Sequence, residues 1–285
     1  MMNNISVVIY SYKGRNLEAV VENLKATAKN SNLHIDIHDQ FPLYRQDHFD
    51  GCGYNHIFWD HIYSPIKYKS QSIRNFQTEY SLVMSDRIML EDGWDEKLVS
   101  FVEGNPLSLV SGNGLSTLTF KNLFYIGRVN NFLNNFELNN LIDRDLIFGK
   151  TDILKSVEFP EYLKYNGEEE VLSLRYWSQG TDIYSAPTSI YSKPFPNTIE
   201  TLYTPFSKDH FYNEAVSLMT TGKNNFDDIS NNTRNHVDFS NYHKLDLLEL
   251  KKLPFEKNDV LYDPLSSGYN KLDAKKFMTR TKALH

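Results

Sequence analysis

The sequence contains a single cysteine, Cys52, among its 285 residues, and it has no long apolar segment. One cysteine cannot form an internal disulfide, and it is too few for a zinc centre built from cysteine ligands. No apolar stretch approaches the roughly 20 residues of a membrane-spanning helix, and the amino-terminal residues lack the basic and apolar regions of a secretion signal. We therefore expect a cytoplasmic protein (in the host cytoplasm if it is viral) with no membrane partner and no disulfide partner.

Basic residues do not outnumber acidic ones, since 30 Lys and Arg stand against 36 Asp and Glu, which gives a net charge of −6. This balance excludes a uniformly basic nucleic-acid-binding protein, although it permits a local basic patch. Glycine-rich phosphate-binding loops are also missing from the three loops that begin at Tyr10, Asp39 and Ser85, each after a predicted strand. Their absence argues against ATPases and against nicotinamide-dependent enzymes.

The apolar residues that are present follow the periods of an α/β protein. Ile5–Tyr10 is typical of a buried strand, Leu17–Leu24 of an amphipathic helix and His34–His38 of a half-buried strand, which together predict a parallel βαβ unit. Later in the chain, we expect strands at 81–84, 107–111 and 183–186 and helices at 94–102 and 168–179. The pattern loosens after about residue 195. We therefore predict one α/β domain over residues 1–195 and a carboxyl-terminal extension over residues 196–285.

Polar residues follow three of the predicted strands, at the strand ends where open α/β sheets bind their ligands. They are Tyr10, Ser11 and Tyr12 after the first strand, Asp39 after the second, and Ser85, Asp86 and Arg87 after the third. A carboxylate such as Asp86 can hold Mg²⁺ or Mn²⁺ there, but an aspartate that shapes the turn is the simpler alternative. Arg74, ahead of the third strand, is either a phosphate contact or a solvated side chain.

A run of glutamates, Glu168 to Glu170, opens the predicted helix at 168–179. The helix dipole favours carboxylates at this position, so the run is explained without any function. A glutamate at a helix start beside the sheet edge is also well placed to act as a general base. Of the nine histidines, only His34 and His38 have the i, i+4 spacing of a helical zinc site, and these two fall in a predicted strand.

Two blocks of the sequence resemble the GT-A glycosyltransferases that add N-acetylglucosamine to hydroxyproline in cytoplasmic proteins. The first block runs from Tyr80 to Val99 and contains Ser-Asp-Arg followed by Gly-Trp-Asp-Glu-Lys-Leu; the second begins with Gly-Glu-Glu at residue 167 and ends at Pro187. The resemblance covers about residues 4–195. It implies the Rossmann-like GT-A fold, a mixed, mostly parallel sheet flanked by helices, here with a carboxyl-terminal extension.

The same resemblance implies a UDP-sugar donor and assigns roles to residues. Tyr10, Ser11, Tyr12 and Asp39 would contact the uridine, Arg74 and Ser85 to Arg87 the sugar diphosphate, Asp86 a divalent cation (Mn²⁺ or Mg²⁺), and Glu168 or Glu169 the acceptor hydroxyl. His210 is a candidate second ligand of the cation, as a substitute for a downstream histidine of the family. The chain also departs from the family pattern. Ser85 stands where the family has an aspartate, Arg87 stands where it has a histidine, and its downstream histidine is missing from residues 189–195.

Size and a composition rich in lysine and asparagine are similar to the DNA-modifying glucosyltransferases of T-even bacteriophages. This resemblance implies transfer of glucose to glucosylated hydroxymethylcytosine in phage DNA. Binding DNA phosphates requires a basic face. Candidates for that face are Lys67, Lys69, Lys121, Arg128, Lys275, Lys276, Arg280 and Lys282. Two alternatives stay open: a transferase with a protein or glycan acceptor, and an inactive GT-A module that only binds sugar or nucleotide.

Overall fold

The computed structural model describes residues 3–12, 16–40, 55–59, 65–112, 116–120, 124–128, 133–143, 145–159, 168–195 and 234. Apart from Arg234, the predicted extension lies outside these residues, and so does the candidate metal ligand His210. The guanidinium of Arg234 lies 2.7 Å from Asp182 and 4.2 Å from the ring centroid of Trp177.

Strands and helices alternate along most of the described chain. The strands are β1 (Asn3–Tyr12), β2 (Ser31–Gln40), β3 (Asn55–Trp59), β4 (Tyr80–Ser85), β5 (Met89–Leu90), β6 (Ser108–Ser111), β7 (Ser116–Phe120), β8 (Phe124–Arg128), β9 (Glu137–Leu138), β10 (Leu146–Lys150), β11 (Asp182–Ser185) and β12 (Tyr191–Ser192). The helices are α1 (Leu17–Thr27), α2 (Pro65–Asn75), α3 (Trp94–Gly104), α4 (Thr151–Lys155) and α5 (Glu168–Ser178). In the described part of the chain, no helix has the length and apolar character needed to cross a membrane.

Eight strands form one mixed sheet in the order β3-β2-β1-β4-β10-β6-β11-β9. β1 pairs in parallel with β2 and β4, β2 with β3, and β6 with β11. β10 lies between β4 and β6 and is antiparallel to both. Consequently β1, β2, β3, β4, β6 and β11 run in one direction and end at one edge of the sheet, which we call the carboxyl edge. The predicted fold class, a mostly parallel sheet flanked by helices, is confirmed.

Both faces of the sheet are covered, as β1 illustrates. Ile5, Val7 and Ile9 belong to a buried cluster that includes the apolar faces of α1 and α3. Val8 and Tyr10, which point to the opposite face, belong to a second cluster with residues of α2, α4 and α5. Successive side chains of a strand alternate between faces, so a strand buried on both sides needs an unbroken apolar run.

Most of the predicted elements are found within one or two residues of their expected bounds. The helix expected at 168–179 is α5, and Gly180, which has a φ of 88°, follows it in the left-handed conformation that stops a helix. Nine of the observed elements were not predicted: the helices α2 and α4 and the strands β3, β5, β7, β8, β9, β10 and β12. The most consequential of them is β10. The strand completes the sheet, because it fills the gap between β4 and β6.

Substitution of Gly149 with alanine is expected to destabilise the protein by about 1 to 3 kcal/mol, because it overpacks the middle of β10. A Cβ atom at this position would clash with Cδ2 of Leu109, which is fully buried on β6. Gly104 is the matched control, because a Cβ atom there meets nothing within 4 Å. Urea unfolding of both alanine variants measures the difference, and equal stabilities would contradict the packing argument.

Candidate functional site

A buried serine–aspartate pair lies at the carboxyl edge, where β1 and β4 end. The hydroxyl of Ser11 donates a 2.7 Å hydrogen bond to Oδ2 of Asp86, and the Asp86 amide donates to the Tyr10 carbonyl at 3.1 Å. In the register of β1 with β2, Ser11 stands opposite Asp39. Asp39 and Asp86 are only 2% and 4% exposed. The structure thus brings together Tyr10, Ser11, Asp39 and Asp86 at three adjacent strand ends, as the sequence predicts.

Burial changes the acidity of Asp86. Removal from water raises the pKa of its carboxyl from 3.8 to about 6, because the charged form loses hydration. The hydrogen bond from Ser11 and the positive charge of Arg87 oppose this rise, whereas the negative charge of Asp145 adds to it. A strongly shifted carboxyl at a ligand-binding edge is typical of a functional group.

Beside Asp86 lie four charged side chains that we call the ion-pair cluster: Asp143, Asp145, Arg87 and Lys193. The Lys193 ammonium bridges both aspartates, at 2.7 Å from Oδ2 of Asp143 and 3.0 Å from Oδ2 of Asp145. A guanidinium nitrogen of Arg87 donates to Oδ1 of Asp145. The Asp145 amide donates to Oδ1 of Asp143 at 3.1 Å. Each of the four carboxylate oxygens therefore accepts a hydrogen bond within the cluster.

The cluster also holds the backbone of Ser85, Asp86 and Arg87, which we call the 85–87 turn. The Ser85 amide donates to the Asp145 carbonyl at 2.9 Å. Asp145 therefore contacts the turn twice, through its backbone carbonyl at Ser85 and through its carboxylate at Arg87. The Asp143 amide in turn donates to the hydroxyl of Ser111, at the end of β6, at 2.6 Å. Sequence reasoning missed Asp143, Asp145 and Lys193. The two aspartates flanking position 144, directly before an apolar run, were the available signal.

The first turn of helix α5 lies toward the carboxyl edge of the sheet, as does the ion-pair cluster. A helix that packs against the parallel strand following it runs opposite to that strand, so the amino terminus of α5 lies toward the carboxyl edge. The hydroxyl of Ser173 donates to the Glu169 carbonyl and accepts from the Ile142 amide at 2.8 Å. Ile142 directly precedes Asp143, so hydrogen bonds and one peptide link join the first turn of α5 to the ion-pair cluster. The Glu169 side chain is half-buried, and the Glu168 side chain is not among the side chains that the structure describes.

Arg74 lies away from this site. It occupies the last turn of α2, ahead of β4, and therefore stands at the edge opposite to the carboxyl edge. Its side chain is 58% exposed and lies 4.0 Å from the carboxylate of Glu158. Tyr12 ends β1 at the carboxyl edge, but its side chain lies outside the described ones. The structure thus places Tyr12 with the other strand-end residues and separates Arg74 from them.

Lys69, one of the residues expected on a basic face, is buried instead. It is 1% exposed, and its ammonium lies 4.3 Å from the ring centroid of Tyr10. A lysine in this position cannot reach a DNA phosphate, so its assignment to a basic face was wrong. It stabilises the end of β1 by a cation–π contact. The side chains of the other residues proposed for that face lie outside the described ones.

A divalent cation does not fit the described residues of this edge. Mg²⁺ and Mn²⁺ need several oxygen ligands in one place, and the described part of the chain holds no group of three or more His, Cys, Asp or Glu side chains arranged to bind a metal. The carboxylate oxygens of Asp143 and Asp145 already accept from Arg87, Lys193 and a backbone amide. Asp86 supplies a single carboxylate, hydrogen-bonded to Ser11.

No family model matches the sequence, and no curated protein matches it either. Solved structures do resemble the fold. Residues 1–349 of S. aureus TarS superpose with a TM-score of 0.58 at 10% identity, over 98% of this chain and 78% of that one. The same fragment in complex with UDP-GlcNAc gives a TM-score of 0.59 at 13% identity, over 98% and 79% of the two chains.

A second kind of neighbour shares the architecture. GalNAc-T7 with UDP, GalNAc and Mn²⁺ superposes with a TM-score of 0.54 at 12% identity, over 92% of this chain and 58% of that one. Both neighbours are GT-A glycosyltransferases. At such low identity the likeness concerns the fold. The mixed sheet and its flanking helices therefore give this chain the GT-A fold of these glycosyltransferases.

Proposed function

We propose that this protein is a glycosyltransferase that binds a UDP-sugar at the carboxyl edge of its sheet. The observation that carries the proposal is the buried Ser11–Asp86 pair beside Asp39, at adjacent strand ends of a GT-A fold. Open α/β sheets bind their ligands at this edge. Neighbours with this fold have been crystallised with UDP and with UDP-GlcNAc.

The donor would lie across the ends of β1, β2 and β4. The Asp39 carboxylate and the Ser11 hydroxyl, which donates its proton to Asp86, would accept hydrogen bonds from the nucleoside, and Tyr10 and Tyr12 flank Ser11 along β1. The 85–87 turn would face the sugar diphosphate. Arg74 is not included, because it stands at the opposite edge of the sheet.

The transfer itself exchanges one bond to the anomeric carbon of the sugar for another. The bond from this carbon to the diphosphate oxygen breaks, UDP leaves with the electron pair, and the acceptor oxygen forms the new bond through an oxocarbenium-like state. If the configuration is inverted, we expect Glu168 or Glu169 to take the proton of the acceptor hydroxyl. The position of the amino terminus of α5 toward the carboxyl edge supports this role. If the configuration is retained, this base is not required.

For the sugar and the acceptor we propose glucose and glucosylated hydroxymethylcytosine in bacteriophage DNA. The proposal is supported by the similarity of size and composition to the T-even enzymes. A sugar on a modified cytosine projects into the major groove, where its hydroxyls are accessible without extraction of the base. The acceptor would approach the carboxyl edge from the side of α5, opposite the nucleoside.

Labelled UDP-glucose offered with glucosylated DNA, unmodified DNA, or a protein and glycan extract tests the proposal, each with EDTA or with Mn²⁺. We expect label in the glucosylated DNA alone. Label in protein or glycan would contradict the proposal of a DNA acceptor, whereas the proposal of a UDP-sugar glycosyltransferase would stand. UDP that binds without any hydrolysis or transfer would indicate an inactive module. Failure to bind UDP by calorimetry would contradict the donor site itself.

A further inference from the structure

Lys193 reaches the ion-pair cluster because two very short strands pair. Strand β5 follows the 85–87 turn directly, and β12 precedes Lys193. Their antiparallel register sets Tyr191 opposite Leu90 and Ser192 opposite Met89. The chain after β12 therefore runs back toward the turn, and it delivers the Lys193 ammonium to Asp143 and Asp145.

The four side chains that make up the cluster carry equal numbers of positive and negative charges. Two carboxylates bring a charge of −2, and the guanidinium of Arg87 and the ammonium of Lys193 bring +2. Their positive charge equals that of one divalent cation. The ammonium also bridges two carboxylates, as such a cation would.

Exposure shows from which side a cation would enter. The side chains of Asp143 and Asp145 are 3% and 1% exposed, whereas that of Lys193 is 25% exposed. The ammonium therefore closes the solvent-facing side of the two aspartates. Behind them, Arg87 and the Asp145 amide occupy the remaining oxygens.

We propose that Lys193, together with Arg87, takes the place of a divalent cation at the carboxyl edge. Lys193 is then a positioning residue: it holds Asp143 and Asp145 together, and Asp145 in turn holds the 85–87 turn against the donor. The proposal rests on the proposed function for the identity of the donor. It follows that UDP binding and sugar transfer need no added divalent cation.

Titration with Mn²⁺ in the absence of nucleotide tests the proposal, with the electron paramagnetic resonance signal of free Mn²⁺ as the readout. Lys193→Met opens two buried carboxylates, so we expect this variant to bind about one Mn²⁺ at least roughly tenfold more tightly than the wild type. Added Mn²⁺ should also raise its unfolding temperature and leave that of the wild type unchanged. Lys193→Arg keeps the positive charge and should behave as the wild type.

Two control variants isolate the site. Lys29→Met removes an exposed ion pair with a single carboxylate, Asp92, and should gain no Mn²⁺ binding. The double variant that combines Lys193→Met with Asp143→Asn should not show the tighter Mn²⁺ binding of Lys193→Met. If Lys193→Met gains no affinity, or if the wild type binds Mn²⁺ stoichiometrically and Asp143→Asn abolishes that binding, the proposal is overturned. The wild-type titration alone decides the matter if Lys193→Met does not fold.

Calorimetry of UDP binding to the wild type separates this proposal from the proposed function. We expect the dissociation constant of UDP in EDTA to agree with that in Mn²⁺ within about twofold, because Lys193 and Arg87 already supply the positive charge that a cation would bring. Binding that strengthens tenfold or more with Mn²⁺ would overturn the role of Lys193 and leave the donor site intact. Absence of UDP binding in both buffers would contradict the proposed function, and the Mn²⁺ titration would still decide the role of Lys193.

Discussion

Substitution of Asp86 with asparagine is expected to lower the rate of sugar transfer about 100-fold, because its fixed negative charge would stabilise the positive charge of the oxocarbenium-like transition state, and a fixed group of this kind contributes at this level. Asparagine has nearly the same size as aspartate, and its carbonyl can still accept the hydrogen bond from Ser11. What the variant loses is the negative charge at the end of β4. Initial rates with labelled UDP-glucose and a saturating acceptor measure the effect.

The same variant is expected to be more stable than the wild type at pH 8. The pKa of Asp86 is 3.8 in the unfolded reference and about 6 in the fold. An acid with a raised pKa holds its proton more strongly in the fold, so its contribution to stability is complete below pH 3.8 and is lost as the pH rises through 6. Above pH 7 the ionised carboxylate therefore costs the fold on the order of 1 to 3 kcal/mol, which asparagine avoids.

Urea unfolding between pH 4 and 8 tests whether the ionised Asp86 carboxylate destabilises the fold. The stability difference between the Asp86→Asn variant and the wild type should be largest at pH 8 and should narrow between pH 6 and pH 4. Asp152→Asn is the control, because Asp152 is exposed in the first turn of α4, at the opposite edge. A transfer rate within twofold of the wild type would reject the role of Asp86. A difference that widens toward low pH would contradict its raised pKa.

The part of the site that lies on β1, β2 and β4 could be predicted from the sequence. The apolar run Ile5–Tyr10 and the alternation at His34–His38 identify two parallel strands, and parallel strands end at one edge. Ser11, Asp39 and Asp86 follow such strands directly. Their proximity therefore needs only strand assignment and strand direction.

The ion-pair cluster could not be predicted in the same way. Asp143 and Asp145 precede a strand, and a residue that precedes a strand of the parallel set lies at the opposite edge. They reach the carboxyl edge because β10 runs antiparallel to its neighbours, a direction that its apolar run does not reveal. Lys193 depends on the pairing of two strands of two residues each, about 100 positions apart in the chain.

Arg74 illustrates how strand direction decides the edge of the sheet at which a residue lies. It stands close to the third strand in sequence, which suggested a contact with the donor phosphate, but it stands ahead of that strand. In a parallel set of strands this position faces away from the carboxyl edge. Strand direction alone is therefore sufficient to separate Arg74 from Asp86.

Substitution of Asp145 with asparagine is expected to lower the free energy of unfolding by about 3 to 5 kcal/mol, the usual range for removal of one partner of a buried ion pair. Asp145 and Arg87 are both buried, so the guanidinium would keep its charge in the interior and lose its ion pair with Asp145. Lys193 would lose its ion pair with Asp145 and keep the one with Asp143. Because asparagine preserves the size and the backbone hydrogen bond to Ser85, the loss reports the charge itself.

Equilibrium unfolding in urea at pH 8 measures this loss, and two further variants establish its origin. Asp92→Asn breaks the exposed ion pair with Lys29 and should leave the free energy of unfolding close to that of the wild type, because water screens that pair. Arg87→Gln combined with Asp145→Asn should cost less than the sum of the single changes, since neither charge is then left alone in the interior. If Asp145→Asn costs as little as Asp92→Asn, or if the double variant shows full additivity, the charges of Arg87 and Asp145 are not coupled, and the 85–87 turn is held by backbone hydrogen bonds alone.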